Sequence, residues 1–71
     1  MNKNKIQIIL NGKKNILKKN ISIYNLIKDI DLDDSKIAIE LNGEIIPKSN
    51  FKSHIVFEGD CIEIVHFIGG G

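Results

Sequence analysis

Apolar and polar residues alternate with a period of two in three stretches of this chain, and one stretch between them changes period. Ile6, Ile8 and Leu10 stand on alternate positions with Gln7 between the first two, the pattern of a half-buried strand over 5–10. Asn11-Gly12 follows at once, and Asn-Gly is the strongest short hairpin signal because both central residues of a type I′ turn need positive φ. The return strand, 13–17, carries Lys13 and Lys14 and runs into Lys18 and Lys19. It reads as an edge strand whose charges oppose pairing with other molecules.

The period then changes. Ile23, Leu26, Ile27 and Ile30 fall at i, i+3, i+4 and i+7, one stripe of a helix of about two turns. Ser22 stands where an N-cap accepts from an early backbone N–H, and Ile21 before it can staple onto Leu26. Position 25 is Asn rather than Glu, so the capping box is incomplete. Asp31-Leu32-Asp33-Asp34-Ser35 ends the helix, with Leu32 expected to plug the core beneath it. Ile37, Ile39 and Leu41 predict a third strand, Asn42-Gly43 a second type I′ turn, and Glu44-Ile45-Ile46 a short partner stopped by Pro47. Within 48–54 only Phe51 reads as an anchor. Ile55-Val56-Phe57 is expected to pack on the core, and Glu58-Gly59-Asp60 turns the chain into a last apolar strand that begins at Cys61 and runs out in Gly69-Gly70-Gly71.

Hairpin, helix, hairpin and last strand form a single domain over residues 1–71. If the helix covers one face while the last strand returns to the middle, that strand lies parallel to the first through a right-handed crossover. The predicted class is α+β, a β-grasp with a mixed five-stranded sheet and one main helix packed on one face. Composition narrows the chemistry. A domain this small buries only about 60% of its unfolded surface, leaving little room for a concave active site. All ten basic residues are lysines and the net charge is +1; without an arginine fork or a basic excess, no nucleic-acid partner is expected. Cys61 is the sole cysteine, so neither an internal disulfide nor a thiol-rich metal site can form. His54 and His66 lie in separate segments, and metal binding is not expected. The apolar run Ile8 to Leu10 is too short for a signal or membrane segment, so a cytoplasmic location, with no membrane partner, is expected.

Asn42-Gly43-Glu44-Ile45-Ile46-Pro47-Lys48, then Gly59-Asp60-Cys61-Ile62-Glu63-Ile64-Val65, then the terminal Gly70-Gly71, resemble the ThiS family, the ubiquitin-like sulfur carriers of bacterial thiamine biosynthesis. The match covers essentially the whole chain. Gly69 adds one glycine before the family's usual pair, and the lysine-rich segment near Lys13 to Lys19 is unlike many members. The resemblance implies a protein cosubstrate rather than an enzyme. A ThiF-like adenylyltransferase would use ATP to convert the Gly71 carboxylate to an acyl-adenylate, and a persulfide donor would then leave a thiocarboxylate. A ThiG-like synthase would take its sulfur into the thiazole ring, with no cofactor bound by the carrier. Activation is needed because a carboxylate, with a pKa near 3.5, is a poor electrophile at neutral pH. Residues 69–71 are expected to be a flexible tail reaching roughly 10 Å. A MoaD-like carrier for molybdopterin synthesis shares fold and tail but usually lacks the Asn-Gly-Glu-hydrophobic-hydrophobic-Pro run. A β-grasp interaction module with an inert tail is the alternative of another class.

Strand parity proposes a docking surface. If Ile62 and Ile64 face the helix, then Val65 and Phe67 face the other way together with Ile9, and an exposed apolar patch usually means a partner. The alternative is a twist or bulge that lets Phe67 finish the core. Cys61 cannot reach its own terminus, about 30 Å away if extended, and is expected to be a buried or half-buried thiol.

Overall fold

A computed structural model describes residues 3–67. The strands are β1 (Lys5–Leu10), β2 (Lys13–Lys18), β3 (Ile37–Leu41), β4 (Glu44–Ile46) and β5 (Cys61–His66), with one α-helix, α1 (Ile23–Asp29), between β2 and β3. They form one five-stranded sheet in the order β2-β1-β5-β3-β4. β1 and β5 are parallel, whereas β1–β2, β3–β4 and β3–β5 are antiparallel. This is the mixed β-grasp sheet expected from the element order, with the last strand in its centre. The single-domain reading of 1–71 reaches past the described residues at both ends, and the tail, 69–71, lies outside them.

Both hairpins turn as their Asn-Gly pairs require. Asn11 and Gly12 have φ of 49° and 82°, and Asn42 and Gly43 have 51° and 88°, positive at both central positions. The lysines of β2 lie on one edge of the sheet. β4, three residues long, forms the other and ends at Pro47.

At the helix N-terminus the Ser22 hydroxyl accepts from the Asn25 backbone N–H at 3.0 Å and donates to Asn25 Oδ1 at 2.9 Å. Asn25 thus reciprocates the cap by a shorter route than a glutamate would take. Ile21, Ile23, Leu26 and Ile27 are buried against Ile6, Ile8, Ile37, Ile39, Ile62, Phe51 and Val56. Ile30 departs from the predicted stripe and is exposed. The helix stops one residue earlier: Asp31 takes a left-handed φ of 60°, its N–H donates to Lys28 C=O, and Leu32 N–H reaches back to Ile27 C=O. That is a Schellman ending with aspartate in the position glycine usually fills. Leu32 then packs partly against the core as expected.

Two further expectations are corrected. Of Ile55-Val56-Phe57 only Val56 is fully buried, and Phe57 points outward. Phe57 opens a turn in which its N–H donates to Asp60 Oδ2 and its C=O accepts from Asp60 N–H, so its side chain stands at a corner. Cys61, expected to be buried or half-buried, is exposed, because as the first residue of β5 it lies on the face opposite α1.

Candidate functional site: the open sheet face and the end of β5

α1 covers one face of the sheet. β5 shows the split directly, with Ile62 and Ile64 buried while Cys61, Glu63 and Val65 are exposed. Val65 is 54% and Phe67 60% exposed, so the apolar side chains at the end of β5 stand on the open face and do not finish the core.

Cross-strand register fixes their neighbours. Val65 pairs with Ala38, Glu63 with Glu40, and Glu40 in turn with Ile45. Phe67 N–H donates to Lys36 C=O at 2.9 Å, which holds the chain one residue beyond β5. The ammonium of Lys48 lies 5.6 Å from the centre of the Phe67 ring, within cation–π range. Lys36 is itself set by a capped 3₁₀ turn, Asp34–Lys36. There the Ser35 hydroxyl and then the Ser35 backbone N–H, both donating to Asp33 Oδ1, hold the Asp33 carboxyl below its ordinary pKa.

Ile9 shares the open face but is not gathered into this patch. It is half-buried and stands beside Cys61, four residues before Val65, about 13 Å along the strand. Glu63 lies between them. The residues beside Val65 and Phe67 are instead Ala38 and Lys48, while Ile45 shares the row of Glu40 and Glu63, two strands from β5. Ile45, 65% exposed, was legible as outward, since adjacent Ile45 and Ile46 cannot both face in on a strand. Lys48 was not legible, because its approach depends on the fold of the segment after Pro47. Glu40 and Glu63 are like charges directly opposite each other, an arrangement that costs stability in a sheet.

Both turn asparagines also brace β5, a role that the turn reading missed. Asn42 N–H donates to Cys61 C=O, Asn42 Oδ1 accepts from Cys61 N–H at 2.8 Å, and its amide nitrogen donates to Asp60 Oδ1 at 3.0 Å. On the other side Asn11 N–H donates to Ile62 C=O, and Asn11 Oδ1 accepts from Ile64 N–H at 2.7 Å. Turn chemistry alone gave no sign of this, because Asn is favoured in such turns for its φ.

Among the described residues no group of three His, Cys, Asp or Glu side chains could hold a metal ion. No described helix is long and apolar enough to cross a membrane. Gly69, Gly70 and Gly71 lie outside the described residues, and Phe67 is the last residue placed.

A β-grasp sheet whose central strand runs toward a glycine-rich end, with a braced strand and a bare apolar patch, defines a ubiquitin-like carrier scaffold. The ThiS family model matches residues 3–71. A sulfur carrier protein ThiS from Bacillus subtilis is 40% identical over 63 residues, spanning 87% of this chain and 96% of that protein. The crystal structure of a thiamine biosynthesis protein, ThiS, from Geobacter metallireducens superposes with a TM-score of 0.81 at 26% identity, covering 93% of this chain and all of that one. A thiazole synthase from Paramagnetospirillum magneticum is 36% identical over 66 residues, but this chain spans only 20% of its length. The chain belongs to the ThiS family of small, non-catalytic sulfur carriers of thiamine biosynthesis.

Proposed function

We infer that the protein carries sulfur to thiazole formation as a thiocarboxylate on Gly71. The observation that supports this best is the family match over 3–71, joined to a fold that puts the strand before the glycines in the centre of the sheet. A ThiF-like adenylyltransferase transfers AMP from ATP to the Gly71 carboxylate, releasing pyrophosphate. The outer sulfur of a persulfide then displaces AMP to give an acyl disulfide. A second thiol attacks the donor's sulfur and leaves with it as a disulfide, and the thiocarboxylate so released is the nucleophile presented to a ThiG-like synthase. Gly69 and Gly70 supply reach without a side chain that would block a narrow channel.

Docking is assigned to Val65 and Phe67, with Lys48 beside them and Ile9 at the far rim of the same face. Ordering a glycine tail costs about 1–2 kcal/mol per residue, so binding must draw on such a surface. The reaction is placed in the cytoplasm, where exposed Cys61 stays reduced. The test incubates the protein with a ThiF-like enzyme, ATP and a sulfur source, followed by mass spectrometry of the C-terminal peptide. Replacement of oxygen by sulfur on Gly71 is the expected result, and an unchanged mass would overturn the carrier reading. Rescue of thiazole rather than molybdopterin synthesis in deficient cells assigns the pathway.

A further inference from the structure

β5 is as long as its parallel neighbour β1 but is offset from it and runs on past its end. β1 pairs with it only at Ile9↔Cys61 and Leu10↔Ile62, whereas β3 accompanies it from Ile62 to His66, and Lys36 C=O then takes the Phe67 N–H. Backbone groups along a strand alternate in direction. Cys61 and Phe67 bond toward β3, while Asp60, Ile62 and Ile64 bond toward β1 and its turn. By the same alternation the Ile64 C=O and the N–H and C=O of His66 point to the β1 side. There Asn11 takes the Ile64 N–H and the chain turns away through Gly12, so among the described residues no strand lies beside them. The result is a short open edge in the middle of the sheet.

The two outer edges are protected against strand pairing, β2 by Lys13, Lys14 and Lys18 and β4 by its three-residue length and Pro47. Protection of that kind is the usual way to keep an edge from pairing with another chain. Val65, His66 and Phe67 bring neither lysine nor proline to the inner edge, and Val65 and Phe67 are both exposed beside it. This edge also leads directly into the residues that must enter a partner's cleft.

We propose that an extended, apolar or β-branched segment of the adenylating enzyme pairs with the β5 edge at Ile64–His66, continuing the sheet and aligning the residues that follow. Backbone pairing supplies alignment and Val65 and Phe67 supply side-chain contact, the division of labour in strand-addition complexes. The inference rests on the carrier reading above and deepens its partner.

Amide hydrogen exchange in the unaltered protein tests it. The His66 amide exchanges fast in the free protein and slows at least about tenfold when saturated with a ThiF-like adenylyltransferase, ATP being omitted. An unchanged His66 rate in the saturated complex overturns the proposal while leaving the thiocarboxylate assay to judge the carrier reading. Slowing that appears without enzyme and grows with protein concentration gives the edge to a second copy instead, and also overturns it. Failure to form any complex overturns the carrier reading and this inference together. His66→Pro removes the outward N–H, and His66→Ala keeps it. The alanine variant is expected to bind as the parent does and the proline variant at least about tenfold more weakly, with cooperative unfolding retained in both. Equal binding by the two folded variants counts against the edge, and if the proline variant does not fold the exchange measurement decides alone.

Discussion

Phe67 is the residue at which stability and recognition separate. A core phenylalanine costs about 3–5 kcal/mol when cut to alanine, but Phe67 is mostly exposed and its backbone bond to Lys36 survives truncation. Phe67→Ala is therefore expected to change unfolding free energy by no more than about 0.5 kcal/mol and to weaken enzyme binding about tenfold or more. Denaturant unfolding and titration calorimetry on the same variant read both quantities. Asn42 shows the opposite case, in which one side chain answers two demands. Glycine satisfies the positive φ as well as asparagine does but cannot hold Cys61 and Asp60. Asn42→Gly should lower stability by about 1–3 kcal/mol, the cost of unmaking such bonds, without altering the turn, which thermal unfolding and backbone chemical shifts would show.

Among the elements, strand β5 carries most of the consequences. Its buried face was readable from the alternation of Ile62 and Ile64, and its central place followed from the order of elements. Its outer face was readable only to parity: Val65 and Phe67 follow from it, but their distance from Ile9 depends on a register that no local pattern specifies. The asparagine braces were hidden for a related reason, since they join residues 18 to 53 positions apart. The helix end was misread by one residue because periodicity carries Ile30 onto the stripe, whereas the Schellman turn at Asp31 releases it. Opposed glutamates on β3 and β5 yield a prediction at this scale. Glu63→Lys should raise stability by about 0.2–1 kcal/mol by replacing repulsion with attraction across the strands, and a fall in the denaturation midpoint would contradict it.

For the molecule as a whole, the scaffold and the chemistry are separable. The core and the strands of the sheet are built by residues 5–66. Deleting Gly71, or adding one residue beyond it, should thus leave unfolding unchanged within about 0.5 kcal/mol while abolishing adenylation. Circular dichroism melts and ATP–pyrophosphate exchange measure the two sides, and normal exchange by either variant would refute the assigned role of the terminus.

The Phe67 N–H bond to Lys36 also acts as a ruler. It is the last backbone bond along the described residues, and beyond Phe67 four residues lead to Gly71, a span of at most about 13–14 Å. An enzyme that seats Phe67 on its surface must therefore keep the phosphorus it hands over within that depth. A cleft cut deeper would admit the carrier and never touch its end.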